Sequence, residues 1–169
     1  MVELEVMGVR IEMPANAPMV LLRDQLSKRH LVIWVGSGEA AAIAQALDGL
    51  TPPRPLTHDL IVDLLEELDH NLTEVRITDL DEGTFFAELV VDDGRIISCR
   101  PSDAIAIALR AGVPVNCAEE VLAEAGIELA DDADDEGDDP IGDEEVEAFR
   151  EFLDHVNPDD FVTGEEPDD

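Results

Sequence analysis

Hydrophobic and polar residues alternate through much of the first part of the chain, as in half-buried β-strands. The alternation over Val2–Val6 changes phase near Gly8, which predicts a strand with a β-bulge. Two further apolar runs, 19–23 and 31–35, are separated by a polar stretch and predict a β-hairpin.

Apolar residues at helical spacing predict two helices in the next part of the chain. The first covers residues 39–47, with Ser37 as its N-cap, and the second begins at a Thr57 cap. The spacing predicts that the second helix buries an apolar stripe, made of Leu60, Ile61, Leu64, Leu65 and Leu68.

Three strands follow, because 74–78, 85–91 and 95–99 alternate and are joined by turn residues. Asp93-Gly94 is typical of a tight hairpin, since such a turn needs positive φ angles. The pattern therefore predicts a three-strand meander in a mixed or antiparallel sheet, within an α+β fold of about four helices.

A third predicted helix, from about Ser102 to Ala111, is apolar on nearly all sides. This indicates a helix buried on most faces, and in so small a domain we expect a subunit interface there as well as a core. A short strand at 113–115 and a fourth helix, ending at Gly126, complete the domain; Asn116 with Glu119 resembles its capping box.

The composition changes after residue 127. Residues 1–127 predict one domain, 128–142 read as an acidic disordered linker, and 143–169 predict an amphipathic helix with an acidic tail. We expect this helix to dock on the domain, a second subunit or an unknown partner. Its apolar positions are Val146, Phe149, Phe152, Leu153 and Val156.

The formal net charge of −32 makes a general affinity for nucleic acid unfavourable, since that affinity rests on phosphate contacts. Residues 1–127 carry 22 acidic and 9 basic side chains, a formal charge of −13. Any nucleic-acid chemistry is therefore expected at a local site, with divalent cations. An acidic composition is equally typical of a protein adapted for solubility or for high salt, and in that case it indicates nothing about binding partners.

Two cysteines without CxxC spacing, Cys99 and Cys117, read as reduced core thiols. The charged, alternating start does not resemble a secretory signal, and no apolar run reaches the length of a membrane span. We therefore expect a cytoplasmic protein. His30, His70 and His155 stand in polar surroundings and are predicted to lie at the surface.

Two segments combine arginine, proline, a hydroxyl and an acid where a helix is predicted to begin. Free N–H groups at a helix start can hold an anion, and an adjacent arginine can bind phosphate in a forked geometry. Histidine and carboxylates there could transfer protons and bind Mg²⁺ or Mn²⁺. The residues concerned are Arg54, Thr57, His58 and Asp59 in the first segment, Arg100, Ser102 and Asp103 in the second, and Glu39 in the first helix.

The same residues also suit an ordinary, well-formed helix start, with proline and a hydroxyl at the entrance and an acid in the first turn. Arg54 could pair with Asp103, or Arg100 with Asp59. Nucleotide-binding, zinc-protease and serine-hydrolase motifs are missing from the sequence. The residues alone leave the functional and the structural interpretation open.

Four short segments together resemble the bifunctional nuclease domain family, whose members are assigned DNase and RNase activity. They are Trp34-Val35-Gly36-Ser37-Gly38-Glu39-Ala40, Pro53-Arg54-Pro55-Leu56-Thr57-His58-Asp59-Leu60, Asp81-Glu82-Gly83-Thr84-Phe85 and Arg100-Pro101-Ser102-Asp103-Ala104. The resemblance covers roughly residues 2–127 and implies an α+β fold and self-association. Phe86 departs from it, since many members carry tyrosine there.

Two hypotheses follow. In the first, the chain is a metal-assisted nuclease. Arg54 and Arg100, helped by Thr57 and Ser102, bind phosphate at the two helix entrances. His58 is the acid or base, and Glu39, Asp59 and Asp103 hold Mg²⁺ or Mn²⁺. In the second, the chain is a non-catalytic oligomeric module that binds a small anionic ligand or a protein partner. The convergence of both Arg-Pro segments in one cleft is the geometric expectation of the first.

Overall fold

An eight-stranded mixed sheet and four helices make up the described part of this computed structural model, residues 1–128. The strands are β1 (Val2–Glu12), β2 (Ala17–Asp24), β3 (Arg29–Trp34), β4 (Leu72–Asp81), β5 (Thr84–Val91), β6 (Ile96–Cys99), β7 (Val115–Cys117) and β8 (Ile127–Glu128). The helices are α1 (Ser37–Leu47), α2 (Thr57–Glu67), α3 (Pro101–Ala111) and α4 (Glu119–Ala125). The predicted α+β class is confirmed.

The sheet joins two antiparallel groups through a short central strand. Its order is β6-β5-β4-β7-β1-β2-β3-β8, and β4 and β7 run parallel whereas the other neighbours are antiparallel. The meander β4–β6 and the β2–β3 hairpin are as the alternation predicts. The register shift in β1 falls between Val6 and Gly8, which confirms the predicted bulge.

Helix α3 is the centre of the core. Ala104, Ile105, Ala106, Ile107 and Ala108 are almost completely buried, because α3 packs against α1, α2, β4 and β5. This confirms the predicted burial. It also leaves these side chains no exposed apolar surface for a second subunit, so the expectation of a subunit interface on α3 loses its basis.

The predicted helix starts are displaced by one or two residues. Ser37 and Thr57 are the first residues of α1 and α2, and the cap positions are held by Gly36 and Leu56. A side-chain cap does exist at α2, where the Leu56 N–H donates to Oδ2 of Asp59 at 2.8 Å. The cap is therefore supplied from inside the helix by the acid rather than by the hydroxyl.

The predicted capping box at Asn116 is wrong. Asn116 lies within β7, and Ala118 occupies the cap position of α4. The side-chain amide of Asn116 instead contacts Glu74 on neighbouring β4. Pairing with β1 and β4 places β7 two residues later than the predicted strand at 113–115.

Two side-chain environments also differ from the sequence expectation. His30 is buried rather than exposed, because β3 is covered at this point by β8, which pairs His30 with Ile127. Leu60, Leu64 and Leu68 are exposed rather than buried, and α2 instead packs Ile61, Val62 and Leu65 against the core.

No helix within residues 1–128 is long and apolar enough to cross a membrane. The expected boundary after residue 127 is extended by one residue, since Glu128 belongs to β8. The rest of the predicted linker 128–142, the amphipathic helix and tail predicted for 143–169, and His155 all lie outside the described residues.

Candidate functional site

The first turns of three helices meet around one depression of about 340 Å³. Helix α1 contributes Glu39, α2 contributes Thr57 and His58, and the entrance of α3 contributes Arg100 and Asp103. They meet because α1 and α2 both pack against α3. The set Glu39, His58, Arg100 and Asp103 is called the Arg100 cluster below.

Arg100 joins the two carboxylates of the cluster. Its Nε donates to Oδ2 of Asp103 at 2.7 Å, and its Nη2 donates to Oδ1 of Asp103 at 2.9 Å and to Oε1 of Glu39 at 2.7 Å. The fork onto Asp103 is bidentate, a geometry that arginine forms and lysine does not. The Arg100 side chain is nevertheless 65% exposed, so it remains open to a ligand from solvent.

His58 belongs to the same network. Its Nε2 lies 3.3 Å from Oδ1 of Asp103, and only 13% of its side chain is exposed. With the proton on Nε2, the ring donates to Asp103 and leaves Nδ1 as an acceptor, the arrangement of a carboxylate-oriented general base.

Electrostatic interactions favour the charged forms of Glu39, Asp103 and Arg100. The pKa of Glu39 lies below its ordinary value because the carboxylate accepts hydrogen bonds from its own backbone N–H and from Arg100. Partial burial acts to raise the pKa of Asp103, but hydrogen bonds from Arg100 and His58 outweigh it and lower that pKa. Both carboxylates in turn raise the pKa of Arg100.

Gly36 allows Glu39 to reach Arg100. A Cβ atom at position 36 would collide with Oε2 of Glu39. Since the clash falls on the far end of a flexible side chain, a larger residue would displace the carboxylate rather than unfold the helix. Gly36 is therefore a positioning residue for the Glu39–Arg100 pair.

Asp59 and Arg54 lie in a neighbouring depression of about 430 Å³, here called the Arg54 pocket, rather than in the Arg100 cluster. Asp59 accepts a hydrogen bond from Nε of Arg110 at 2.6 Å, in addition to capping α2. Arg110 is nearly buried, and it also donates to the carbonyl oxygens of Ala106 and Ala42. Asp59 thus has a clear structural task in tying three helices together.

Ser102 faces a third depression, also of about 430 Å³, which adjoins the cluster and is called the Trp34 pocket. Its wall is formed by the end of β3, the β4–β5 turn and the start of α3. The residues are Ile33, Trp34, Val35, Gly36, Gly83, Thr84, Phe85, Arg100, Pro101 and Ser102.

The two Arg-Pro segments therefore approach one another without forming a single cleft. The structure brings Glu39, Thr57, His58, Arg100 and Asp103 together and separates them from Arg54 and Asp59. Neither of the ion pairs suggested by the sequence, Arg54 with Asp103 or Arg100 with Asp59, is among those of the described residues.

The carboxylates offer hard oxygen ligands of the kind that Mg²⁺ and Mn²⁺ prefer. Their arrangement, however, does not fit a shared metal site, because Arg100 occupies the space between Glu39 and Asp103 and Arg110 holds Asp59. A divalent ion bound by Glu39 and Asp103 would compete with the Arg100 guanidinium for the same oxygen atoms.

A second cluster of histidine and carboxylates lies at the end of the meander. Ligand atoms of His70, Asp92 and Asp93 lie within 4.8 Å of one another. Asn71, just before β4, donates to Asp92, and Nε of Arg95 donates to Asp93 at 2.8 Å, so both carboxylates already have partners. We interpret this cluster as structural, because its contacts connect the start of β4 to the β5–β6 turn.

Sequence reasoning missed two residues. Arg110 is a basic residue in the last turn of an otherwise apolar helix, and that isolation was the available signal. Trp34 was noted only as part of a motif. It is the chain's single tryptophan. It is 53% exposed, and it lines the Trp34 pocket with an aromatic surface.

Comparison with known proteins agrees with the motif pattern. The model of the bifunctional nuclease domain matches residues 20–130, which include every residue of the Arg100 cluster. The "Uncharacterized protein MT1877" and the "Uncharacterized protein Rv1829", from two strains of Mycobacterium tuberculosis, are each 54% identical over 159 residues, covering 94% of this chain and 97% of theirs. This chain therefore belongs to the bifunctional nuclease domain family.

Proposed function

We propose that the chain is a nuclease that hydrolyses phosphodiester bonds at the Arg100 cluster. The observation that carries the proposal is the His58–Asp103–Arg100 network, which places an oriented imidazole beside an exposed guanidinium in one depression. Membership of the bifunctional nuclease domain family supports the same class of reaction.

In this proposal Arg100 binds the scissile phosphate and offsets the charge that develops on its oxygens. His58 removes a proton from the attacking water through Nδ1 while Asp103 holds the ring and stabilises the imidazolium. The new P–O bond forms as the bond to the leaving oxygen breaks, and that oxygen takes up a proton. Thr57, in the first turn of α2, adds a hydroxyl to the rim.

The role of the divalent ion is a separate part of the proposal. Because Arg100 already binds the oxygens of Glu39 and Asp103, no step of the proposed hydrolysis is assigned to Mg²⁺ or Mn²⁺. Arg54 would bind a flanking phosphate of the substrate from the Arg54 pocket, whereas Asp59 remains bound to Arg110.

The alternative function is a non-catalytic module that binds a small anion. Two observations favour it: the charge of −13 over residues 1–127, and the pairing of both Glu39 and Asp103 with Arg100. The same arginine would then serve recognition only.

A nuclease assay on highly purified protein separates the two functions. DNA and RNA cleavage should be lost by about 100-fold or more in Arg54→Ala/Arg100→Ala, with EDTA testing the divalent ion separately. Cleavage that survives EDTA but not the double substitution would show that the reaction needs the two arginines and no divalent ion. Cleavage that the double substitution leaves unchanged would contradict the proposal, and binding of phosphate without any turnover would favour the module.

A further inference from the structure

The Trp34 pocket has the composition of a binding site for a nucleic-acid base. Trp34 and Phe85 supply aromatic surface, and Gly36 and Gly83 leave parts of the wall without side chains. Trp34 is 53% exposed, so much of its apolar surface is in contact with water. A ligand that stacked on the indole ring would bury this surface, which is favourable in free energy.

The pocket shares Arg100 with the Arg100 cluster. Arg100 lines both depressions. One ligand could therefore place one part in the Trp34 pocket and another part beside the Arg100 guanidinium. Of its guanidinium nitrogens, Nη1 makes no hydrogen bond within residues 1–128, whereas Nε and Nη2 are bound to carboxylates. A ligand that carries an aromatic ring next to a phosphate therefore matches this pair of depressions.

The charge of the domain restricts the form of that ligand. A long duplex brings a dense array of phosphates to the surface, and its bases are stacked inside the helix where Trp34 cannot reach their faces. An unpaired base can lie flat on an aromatic side chain, a contact that tolerates any base because every base has a π-face. Only one or two phosphates then need to approach an acidic surface.

We infer that the Trp34 pocket binds an unpaired nucleotide base whose phosphate lies on Arg100, an inference that rests on the phosphate role proposed for Arg100. The recognised chemistry is a base joined to a phosphate, supplied either by single-stranded nucleic acid or by a free mononucleotide. Paired bases in a duplex are excluded from the pocket.

Tryptophan fluorescence tests this directly, because Trp34 is the chain's single tryptophan. The full chain is titrated with a single-stranded oligonucleotide, its blunt duplex, AMP, ribose 5-phosphate and inorganic phosphate. Saturable quenching by the single strand is expected, with little by the duplex or by the two base-free ligands. Quenching by AMP at similar concentrations would identify the mononucleotide source, and its absence the strand.

Substitutions supply the second readout. Trp34→Leu should weaken binding of the single strand about tenfold, measured by anisotropy of a labelled oligonucleotide, and Trp34→Phe should restore most of it. Phe86→Leu is the matched control, since Phe86 is also an exposed aromatic (44%) but does not line the pocket. It is expected to bind normally.

Equal quenching by duplex and single strand, or unchanged affinity in Trp34→Leu, would overturn the inference even if the chain cleaves nucleic acid. Base-dependent quenching that needs Trp34, without any cleavage, would support base binding and contradict only the proposed hydrolysis. The two ideas can therefore fail separately.

Discussion

Arg100 is held by two carboxylates and still faces solvent, and this balance defines the site at the scale of single residues. A ligand phosphate must compete with Glu39 and Asp103 for the guanidinium. Gly36 strengthens the competing Glu39–Arg100 pair, because the absence of a side chain at position 36 lets Glu39 reach Arg100.

The pairing of Glu39 should appear in the pH dependence of stability. Its folded-state pKa lies below the ordinary value, so the folded chain binds this proton less readily than the unfolded chain does. The stabilisation is therefore complete above about pH 5 and is lost as the pH falls below about 4.

We expect Glu39→Gln to lower the free energy of unfolding near neutral pH and to match the wild type increasingly well towards pH 3. Urea unfolding of both proteins across this range measures the difference and cancels the general effect of the acidic surface. Glu66→Gln, on the exposed side of α2, is the control. A Glu39→Gln difference that stays constant with pH would contradict the ion pair.

At the scale of secondary-structure elements, Arg110 connects the helices that carry the site. It reaches from the last turn of α3 to Asp59 in α2 and to the Ala42 carbonyl in α1. The positions of Glu39, His58 and Arg100 relative to one another depend on this connection, since each lies in or beside a different helix.

Asp59→Asn should therefore reduce stability by about 2–3 kcal/mol, because it leaves a nearly buried arginine without its carboxylate and weakens the cap of α2. Asp63→Asn, one turn later on the exposed side of the same helix, should change stability by less than about 0.5 kcal/mol. Thermal and urea unfolding provide the measurement. Equal stability of the two variants would return Asp59 to the list of catalytic candidates.

The sequence predicted the elements better than their contacts. The end of α3 was predicted correctly, because a glycine after an apolar helix is a common helix terminator. In the structure Gly112 adopts a positive φ of 67°, which a residue with a side chain resists. The site was predicted in part. Local motifs identified Arg100, His58 and Asp103 as candidates, but the hydrogen-bond partner of a side chain can come from a distant part of the sequence. Asp59 meets Arg110, 51 residues away, and His30 is covered by β8 from the far end of the domain.

At the scale of the whole molecule, α2 carries the apolar surface that α3 lacks. Leu60, Leu64 and Leu68 are 55%, 55% and 60% exposed and repeat every four residues. Ridges with this spacing can interlock with the same ridges of a second copy about a twofold axis. We propose this leucine face as the interface of the self-association that the family resemblance implies.

Light scattering of the full chain should then give at least twice the chain mass of 18.4 kDa. Association should strengthen with salt, because Asp63 and Glu67 lie between the leucines and would face their own copies. Leu60→Gln/Leu64→Gln should shift the protein towards the monomer, whereas Leu26→Gln, at a 94% exposed leucine elsewhere, should not. A monomer of the wild type at micromolar concentration in all salts would contradict this proposal.

The central claim is that His58 takes part in phosphodiester hydrolysis at the Arg100 cluster. The chain supplies a matched control in His70, which also pairs with an aspartate, Asp92 at 3.2 Å, but lies at the meander. Initial cleavage rates of a single-stranded oligonucleotide should fall by about 100-fold or more in His58→Ala and by less than about twofold in His70→Ala. Equal rates in the two variants, in protein shown to be folded, would contradict the account.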